Sequence, residues 1–432
     1  MRVWLAVAGV LMVGMGAAQA ASLTTLVSFT NQTGLDKGSD PQAGLIIDGL
    51  GNLYGTTLTG GTIGAGTVFE LAKGASSYTF STLATFNNQT GIGDNPFGGL
   101  YRDAGGNLYG TTAYGGGTAF DGNVFKLTKS GSSYTLSTLA VFTGGNGSSP
   151  DGTLIADSSG NLYGITGGGG TTGYGTVFEL VKASGYAVKT LTNFSAATGG
   201  NPFAGVIADS SGNLFGTTNS SGGTNTYGTV YELVKGGTGY TETTLVSFTI
   251  GNGANPYAGL ISDSLGNLYG TTYDGGSTNR GTVFELVKAS GYALTTLATF
   301  NNATGDYPDG GLIMDANGDL FGTTGAGGGA ANDGTVFELV KGSSGYTLYT
   351  LATFTGTNGA TPYDSLVADP QGNLFGTTTA GGTGGFGTVF EVTNSGFVVA
   401  AAVPEPPSWA LLGVGLLGTV AWRWRKTPSL NG

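Results

Sequence analysis

Gly51-Asn52-Leu53-Tyr54-Gly55-Thr56-Thr57 decides how this chain is read, because the stretch returns six times. Copies begin at Gly106, Gly160, Gly212, Gly266, Gly318 and Gly372, at intervals of 52 to 55 residues. Tyr and Phe interchange at the fourth position. Asp319 replaces Asn in the sixth copy, and Ile165 replaces the first Thr in the third. Self-similarity at a fixed period of this size means an array of one small structural unit.

Outward from the first copy lie three more short runs. Gly44–Asp48 precedes it, and Gly66–Leu71 and Tyr78–Phe86 follow. β-branched and aromatic residues dominate all four runs, and clusters of Gly, Asn, Asp and Ser separate them, which is strand and turn chemistry. No part of the body carries a convincing helical period. Four short strands in a unit of about 53 residues make one propeller blade. The sequence therefore predicts an all-β, seven-bladed β-propeller of four-stranded blades over residues 21–402, with an N-terminal signal peptide and a short C-terminal hydrophobic helix. A fourth-strand pattern, Tyr-x-x-x-x-Leu-x-x-Phe, follows units one to six. The seventh unit lacks it, but Leu23-Thr-Thr-Leu-Val-Ser-Phe29 carries its second half. Pairing of that segment with the last unit would close the ring and remove unpaired edges. Phe397–Ala401 competes for the same place.

Composition narrows the function. Only 9% of the 432 residues are charged, yet 39% are hydrophobic and 11% aromatic, so there is material for a core and the chain is not a disordered one. Gly, at 85 residues, follows no Gly-X-Y period, which excludes collagen. The absence of Cys and His removes disulfides, thiolate nucleophiles, Cys/His zinc sites and any Ser-His-Asp triad. Residues 21–402 hold eleven basic and 25 acidic side chains, a surface that repels phosphate backbones, so nucleic acid is not an expected partner. No metal and no cofactor is expected, and no residue is assigned as catalytic.

The two ends read as targeting segments. Arg2, the apolar run Val3–Met15 and Ala18-Gln19-Ala20 form a secretory signal peptide over residues 1–20, cut after Ala20. At the other end, residues 403–432, Pro404-Glu405-Pro406 is followed by an uncharged stretch, Trp409–Trp422, and then by Arg423, Arg425 and Lys426. As a helix those fourteen residues span about 21 Å, short of the ~30 Å hydrocarbon core, which is marginal for a permanent anchor and adequate for a transient one, so transient or permanent membrane association is expected through 409–422. The basic cluster would stay cytoplasmic and leave the body outside.

These three C-terminal features, in this order, resemble the PEP-CTERM protein-sorting signal of exopolysaccharide-producing Gram-negative bacteria. The resemblance implies processing by an exosortase, a membrane cysteine transpeptidase, with Pro404, Glu405 and Pro406 as the recognition element. Thr427–Gly432 extends past the basic cluster, where many members of that class stop sooner. The repeat itself, Gly-x-Leu-x-x-Asp-x-x-Gly-Asn-Leu-Tyr-Gly-Thr-Thr followed by Gly-Gly and Gly-Thr-Val-Phe-Glu-Leu, resembles the GloVer tandem repeat of choice-of-anchor proteins. That resemblance implies an envelope protein and names no reaction.

Several residue sets invite a functional reading. Asp48, Asp103, Asp157, Asp209, Asp263, Asp315 and Asp369 precede the Gly-Asn turn of each unit. They are either turn acceptors or a ring of cation ligands, and recurrence in every blade favours the turn. Glu70, Glu179, Glu232, Glu285, Glu338 and Glu391 recur on the third strand, with Lys126 in place of the second. Acid/base work on a glycoside needs two carboxyls roughly 5–9.5 Å apart, and equivalent Glu residues of different blades should be farther apart than that. The Gly pairs, such as Gly60-Gly61, suit turns with positive φ better than a phosphate cradle, because no P-loop Lys follows.

Departures from the repeat are the better guide to a site: Arg102, Asp121 and Lys126 in unit two, Asp274 and Arg280 in unit five, Asp306, Asp309, Asp319 and Asp333 in unit six. Loops between the second and third strands should share a face with the linkers between blades, near Tyr114, Tyr174, Tyr227, Tyr257, Tyr273 and Tyr307. The expected function is that of a secreted surface or matrix protein, structural or adhesive, linked to exopolysaccharide or biofilm. A glycan-binding module or a glycan lyase or hydrolase working on that loop face is the alternative.

Overall fold

The computed structural model describes residues 20–30, 38–87, 91–117, 120–224 and 226–400. Ala18, the Pro404-Glu405-Pro406 motif and the expected helix at 409–422 lie outside the described residues. Among them the chain forms seven antiparallel sheets, one for each sequence unit. In the first blade the strands are Ile46–Ile47, Leu53–Thr57, Thr67–Lys73 and Tyr78–Thr85, hydrogen-bonded in that order. Only single 3₁₀ turns, Lys182–Ser184 and Lys288–Ser290, interrupt the β structure among the described residues. Both lie in third-to-fourth-strand connections.

The repeated stretch forms the second strand, buried along its whole length in six blades and over Leu374–Thr378 in the seventh. Its central Gly is a matter of space. Gly55 lies opposite Phe69 in the sheet register, and a Cβ there would sit 2.6 Å from the Phe69 ring and 2.9 Å from Leu45. The same crowding recurs at Gly164 against Phe178 and at Gly270 against Phe284. The last Thr of the stretch lies opposite the Thr that opens the third strand. Thr57 and Thr67 share a buried hydroxyl pair at 2.8 Å, repeated at Thr272 and Thr282 at 2.8 Å. Buried hydroxyls need such partners, and here each satisfies the other.

The apolar cores lie between blades. One cluster joins Tyr54 and Val68 of the first blade to Leu100, Leu108 and Phe125 of the second. Another joins Phe375 and Val389 of the seventh to Leu45, Leu53 and Phe69 of the first, so the array is a closed ring. The Phe that ends each fourth strand packs on the third-strand ring of the next blade: Phe86 on Phe125 at 4.9 Å, Phe142 on Phe178 at 5.0 Å, Phe300 on Phe337 at 5.0 Å. Phe29, from the N-terminus, packs on Phe69 at 5.5 Å in the same role.

The closing strand is therefore the N-terminal one. Ser22–Ser28 pairs antiparallel with Thr388–Thr393, Ser22 opposite Thr393 and Ser28 opposite Thr388. The competing segment goes elsewhere. Phe397 packs on Phe321 of the sixth blade at 5.1 Å, the Val398 N–H donates to Asp315 Oδ2 at 3.1 Å, and Ala316 N–H donates to the Val398 carbonyl. Residue 22 and residues 393–398 thus lie at the same face, the one carrying the turns between first and second strands.

Candidate functional site

The repeated Asp residues serve their turns. Asp48 Oδ1 accepts the Leu50 and Asn52 N–H groups at 2.9 Å, and Oδ2 accepts the Asn52 amide and the Tyr54 hydroxyl at 3.1 Å. Burial opposes its ionisation, but these donors outweigh burial and hold the carboxyl below its ordinary value. Gly51 completes the turn at φ +83°. The Glu of the third strand joins the same network: Tyr54 Oη lies 3.0 Å from Glu70 Oε1, and Tyr269 Oη lies 2.8 Å from Glu285 Oε1. Where the second strand carries Phe instead, at Phe215, Phe321 and Phe375, the bridge is missing. Burial then leads in raising the Glu232, Glu338 and Glu391 carboxyls. The Gly pair Gly60-Gly61 takes φ values of +83° and +73°, the turn reading. Among the departures, Lys126 sits 5.4 Å from the centroid of the Tyr109 ring, and Arg102 reaches Asp48 of the neighbouring blade at 3.9 Å. The Arg102 contact ties two blades together.

The opposite face is different. Linkers between blades pair there with the loops between second and third strands, as in Asp94 with Tyr114, Ala254 with Asp274 and Asp306 with Ala326. The linkers end in Pro followed by the first strand, and the residue after each Pro borders a cavity of 260 Å³. All seven blades contribute to its lining, so it lies on the ring axis. Taken in blade order, the residues after Pro are Gln42, Phe97, Asp151, Phe203, Tyr257, Asp309 and Tyr363. Phe97 meets Tyr363 edge-on at 6.1 Å, and Phe203 meets Tyr257 at 5.2 Å. Two ring pairs are thus separated on both sides by a carboxyl. Beyond Tyr257 the aromatic surface continues: Tyr257 packs on Tyr273 at 5.3 Å, and Tyr273 stacks on Tyr307 at 4.8 Å.

The two carboxyls are unusual. Asp151 is 9% exposed and lies over Gly167, where most other blades carry a side chain; Asp309 lies over Gly325 in the same way. Among the described residues neither has a hydrogen-bond partner for its carboxyl oxygens. Burial pushes Asp151 up to about 7. Burial, and after it the neighbouring Asp274, pushes Asp309 up to about 8. Beside it, burial, and after it Asp309 and Asp274, raises Tyr273 to about 12. Asp306, 1% exposed, pairs with Arg280 beside Tyr307 and leaves Oδ1 unpartnered. No Lys or Arg lines the cavity, and no group of three or more metal-ligating side chains occurs among the described residues.

Sequence reasoning reached part of this site. Tyr257, Tyr273, Tyr307, Asp274, Arg280, Asp306 and Asp309 are assembled here, whereas Tyr114, Tyr174 and Tyr227 stay exposed on outer loops. Asp319 instead sits in the turn on the other face, where its Oδ1 accepts the Lys341 N–H. Gln42, Phe97, Asp151, Phe203 and Tyr363 were missed. The available signal was the position after the repeated Pro, which carries four aromatic residues, two Asp and one Gln.

The repeat defines the class. The model of the Gloeobacter/Verrucomicrobia repeat matches residues 15–225 and 205–403, and the chain belongs to that family. Residues 402–426 match the PEP-CTERM protein-sorting motif. That motif marks an exosortase-dependent, secreted cell-surface protein of Gram-negative bacteria. No curated protein matches the sequence. Among solved structures, the chain is similar to an extracellular domain, from B. thetaiotaomicron, thought to belong to a hybrid two-component system (TM-score 0.53, 11% identity, 86% of this chain and 40% of that one). It is also similar to PorZ, a surface component of the type-IX secretion system of Porphyromonas gingivalis (TM-score 0.50, 17% identity, 89% of this chain and 51% of that one). The chain thus spans about half or less of these two proteins, and at such identities the likeness is one of fold alone. No helix among the described residues is long and apolar enough to cross a membrane.

Proposed function

We propose that the protein is a structural or adhesive component of the cell surface or extracellular matrix, associated with exopolysaccharide or biofilm. Its mature body runs from residue 21 to 402, Ala18 and Ala20 mark the signal-peptidase site, and Pro404-Glu405-Pro406 is read by the exosortase. The sorting motif at 402–426 carries this reading. The fold supports it. Both ends of the propeller meet at one face, so an attachment made there leaves the loop face, with its aromatic surface, free for other molecules. The intact mass and C-terminal peptide of the protein from its native cells test the proposal. Loss of everything beyond about Pro406 supports it, and extra mass on the new terminus would identify an attached group. A tail still carrying Arg423 to Gly432 sinks the processing step.

The run of rings from Phe203 to Tyr307 favours a second reading, a glycan-binding module. Saturable glycan binding without turnover would support it. Turnover of an isolated glycan would point instead to a lyase or hydrolase.

A further inference from the structure

We infer that the axial cavity binds an organic ammonium group, held between the Phe97–Tyr363 and Phe203–Tyr257 ring pairs and neutralised by Asp151 and Asp309. This goes beyond the surface-protein reading and does not depend on how the chain is anchored.

Four observations converge on it. Aromatic faces carry negative potential and attract cations most strongly where water is excluded. Here two ring pairs border one space of 260 Å³. A buried carboxyl without a hydrogen-bond partner is costly unless something compensates it. Here two carboxyls without such a partner, the buried Asp151 and the half-buried Asp309, border that same space. No basic side chain among the described residues lines the cavity, so where these carboxyls ionise the compensating charge comes from outside. The body of the protein, with eleven basic and 25 acidic residues, draws cations toward it.

Competing ligands fit less well. An anion would meet two carboxyls and no donor of positive charge. A calcium ion takes 6–8 oxygen ligands, and its usual sites gather several carboxylates, whereas here Asp151 and Asp309 stand three blades apart with the Phe203–Tyr257 pair between them. A neutral sugar could use the rings and would meet the two carboxyls only in their uncharged form, without the charge pairing that a cation adds. An ammonium group uses rings and carboxylates together. Such a group can come from a small quaternary amine or from the free amine of a hexosamine polymer. For the polymer, the stacked Tyr273 and Tyr307 beside Tyr257 offer a surface for the adjoining units.

The test is calorimetric titration of the protein purified from its native cells, near pH 7, with tetramethylammonium, a glucosamine tetramer and an N-acetylglucosamine tetramer. Saturable binding of either amine, and none of the acetylated tetramer, is the expected result. Binding of both amines identifies the ammonium group alone as the ligand, and binding of the glucosamine tetramer alone identifies the polymer as its source. Asp151→Asn, Asp309→Asn and Tyr257→Ala should each weaken binding about tenfold or more, whereas Tyr257→Phe, which keeps the ring, should change it by about twofold at most. Thermal unfolding of each variant checks that the ring is intact. Equal affinity for the acetylated tetramer, amine binding that survives both Asn substitutions, or no saturable amine binding at all would overturn the assignment. So would tight calcium binding that the Asn substitutions abolish.

Discussion

Asp151 and Asp309 couple the stability of the fold to pH. The fold favours the neutral form of each, and the folded-state values stand above the ordinary Asp value of 3.8, at about 7 and about 8. The stability tied to the neutral form is complete below about pH 4 and is lost as pH rises through about 7 for Asp151 and about 8 for Asp309. Each tenfold change in proton affinity between the folded and unfolded chain corresponds to about 1.4 kcal/mol, so the two shifts together set an upper bound on the order of 10 kcal/mol by pH 9. Calorimetric unfolding should therefore show a midpoint that falls between pH 5 and pH 9. Asp151→Asn and Asp309→Asn should raise the midpoint most at pH 9, less at pH 5, and leave it nearly unchanged at pH 3. Wild type and variants that superimpose at pH 9 would show that neither carboxyl is desolvated in the fold. A different residue-scale effect is expected at Gly164. A methyl group there would press on Phe178, so Gly164→Ala should cost about 1–3 kcal/mol in chemical denaturation. Gly185, with open space around it, differs. Its φ of +71° alone penalises a side chain, so Gly185→Ala should cost about 1 kcal/mol.

At the scale of elements, the strands were legible because each is written seven times. A single run such as Leu53–Thr57 is too short to read alone, but seven copies with the same Gly, the same closing Thr and the same flanking turns leave one periodicity that fits. The closing strand was legible from phase, since the unit that lacks a fourth-strand pattern is the last and the spare pattern is the first. What the sequence could not decide was the competition with Phe397–Ala401. Both candidates offer apolar and β-branched residues, and the outcome rests on register against Thr388–Thr393 and on Phe29 reaching Phe69. Deleting residues 21–29 should therefore open the ring and abolish cooperative unfolding. Ending the chain at Asn394 should leave a folded propeller, without the Phe397 contact to Phe321 and the Val398 bond to Asp315. Circular dichroism melts of the two truncations distinguish the cases.

At the scale of the whole molecule, the cavity was the least legible part. Its walls come from residues as distant as Phe97 and Tyr363, and each holds the same place in its own unit. Read along one repeat, the position after Pro is merely variable. Read around the ring, its variation becomes a sequence of rings and carboxyls, and Asp151 gains its meaning only from neighbours on other blades. A simple whole-molecule measurement bears on the proposed processing. All four Trp residues, Trp4, Trp409, Trp422 and Trp424, lie in the two terminal segments, and the body has none. Protein cut after Ala20 and near Pro406 should therefore show tyrosine emission alone when its fluorescence is recorded. Tryptophan emission from the mature protein would mean that one of those segments is still attached.

On the proposed processing, the strand that completes the seventh blade would also be the first piece of the mature chain to be made and to cross the membrane. Its partner, Thr388–Thr393, is among the last. Until that partner arrives, Ser22–Ser28 has no neighbour to pair with, and the apolar surface of the first blade that Phe29 later covers stays open to water. Ring closure would then mark the end of export. The sorting motif begins at residue 402, within ten residues of the end of that partner strand at Thr393. Completion of the fold and delivery of the address label are, in time, nearly one event.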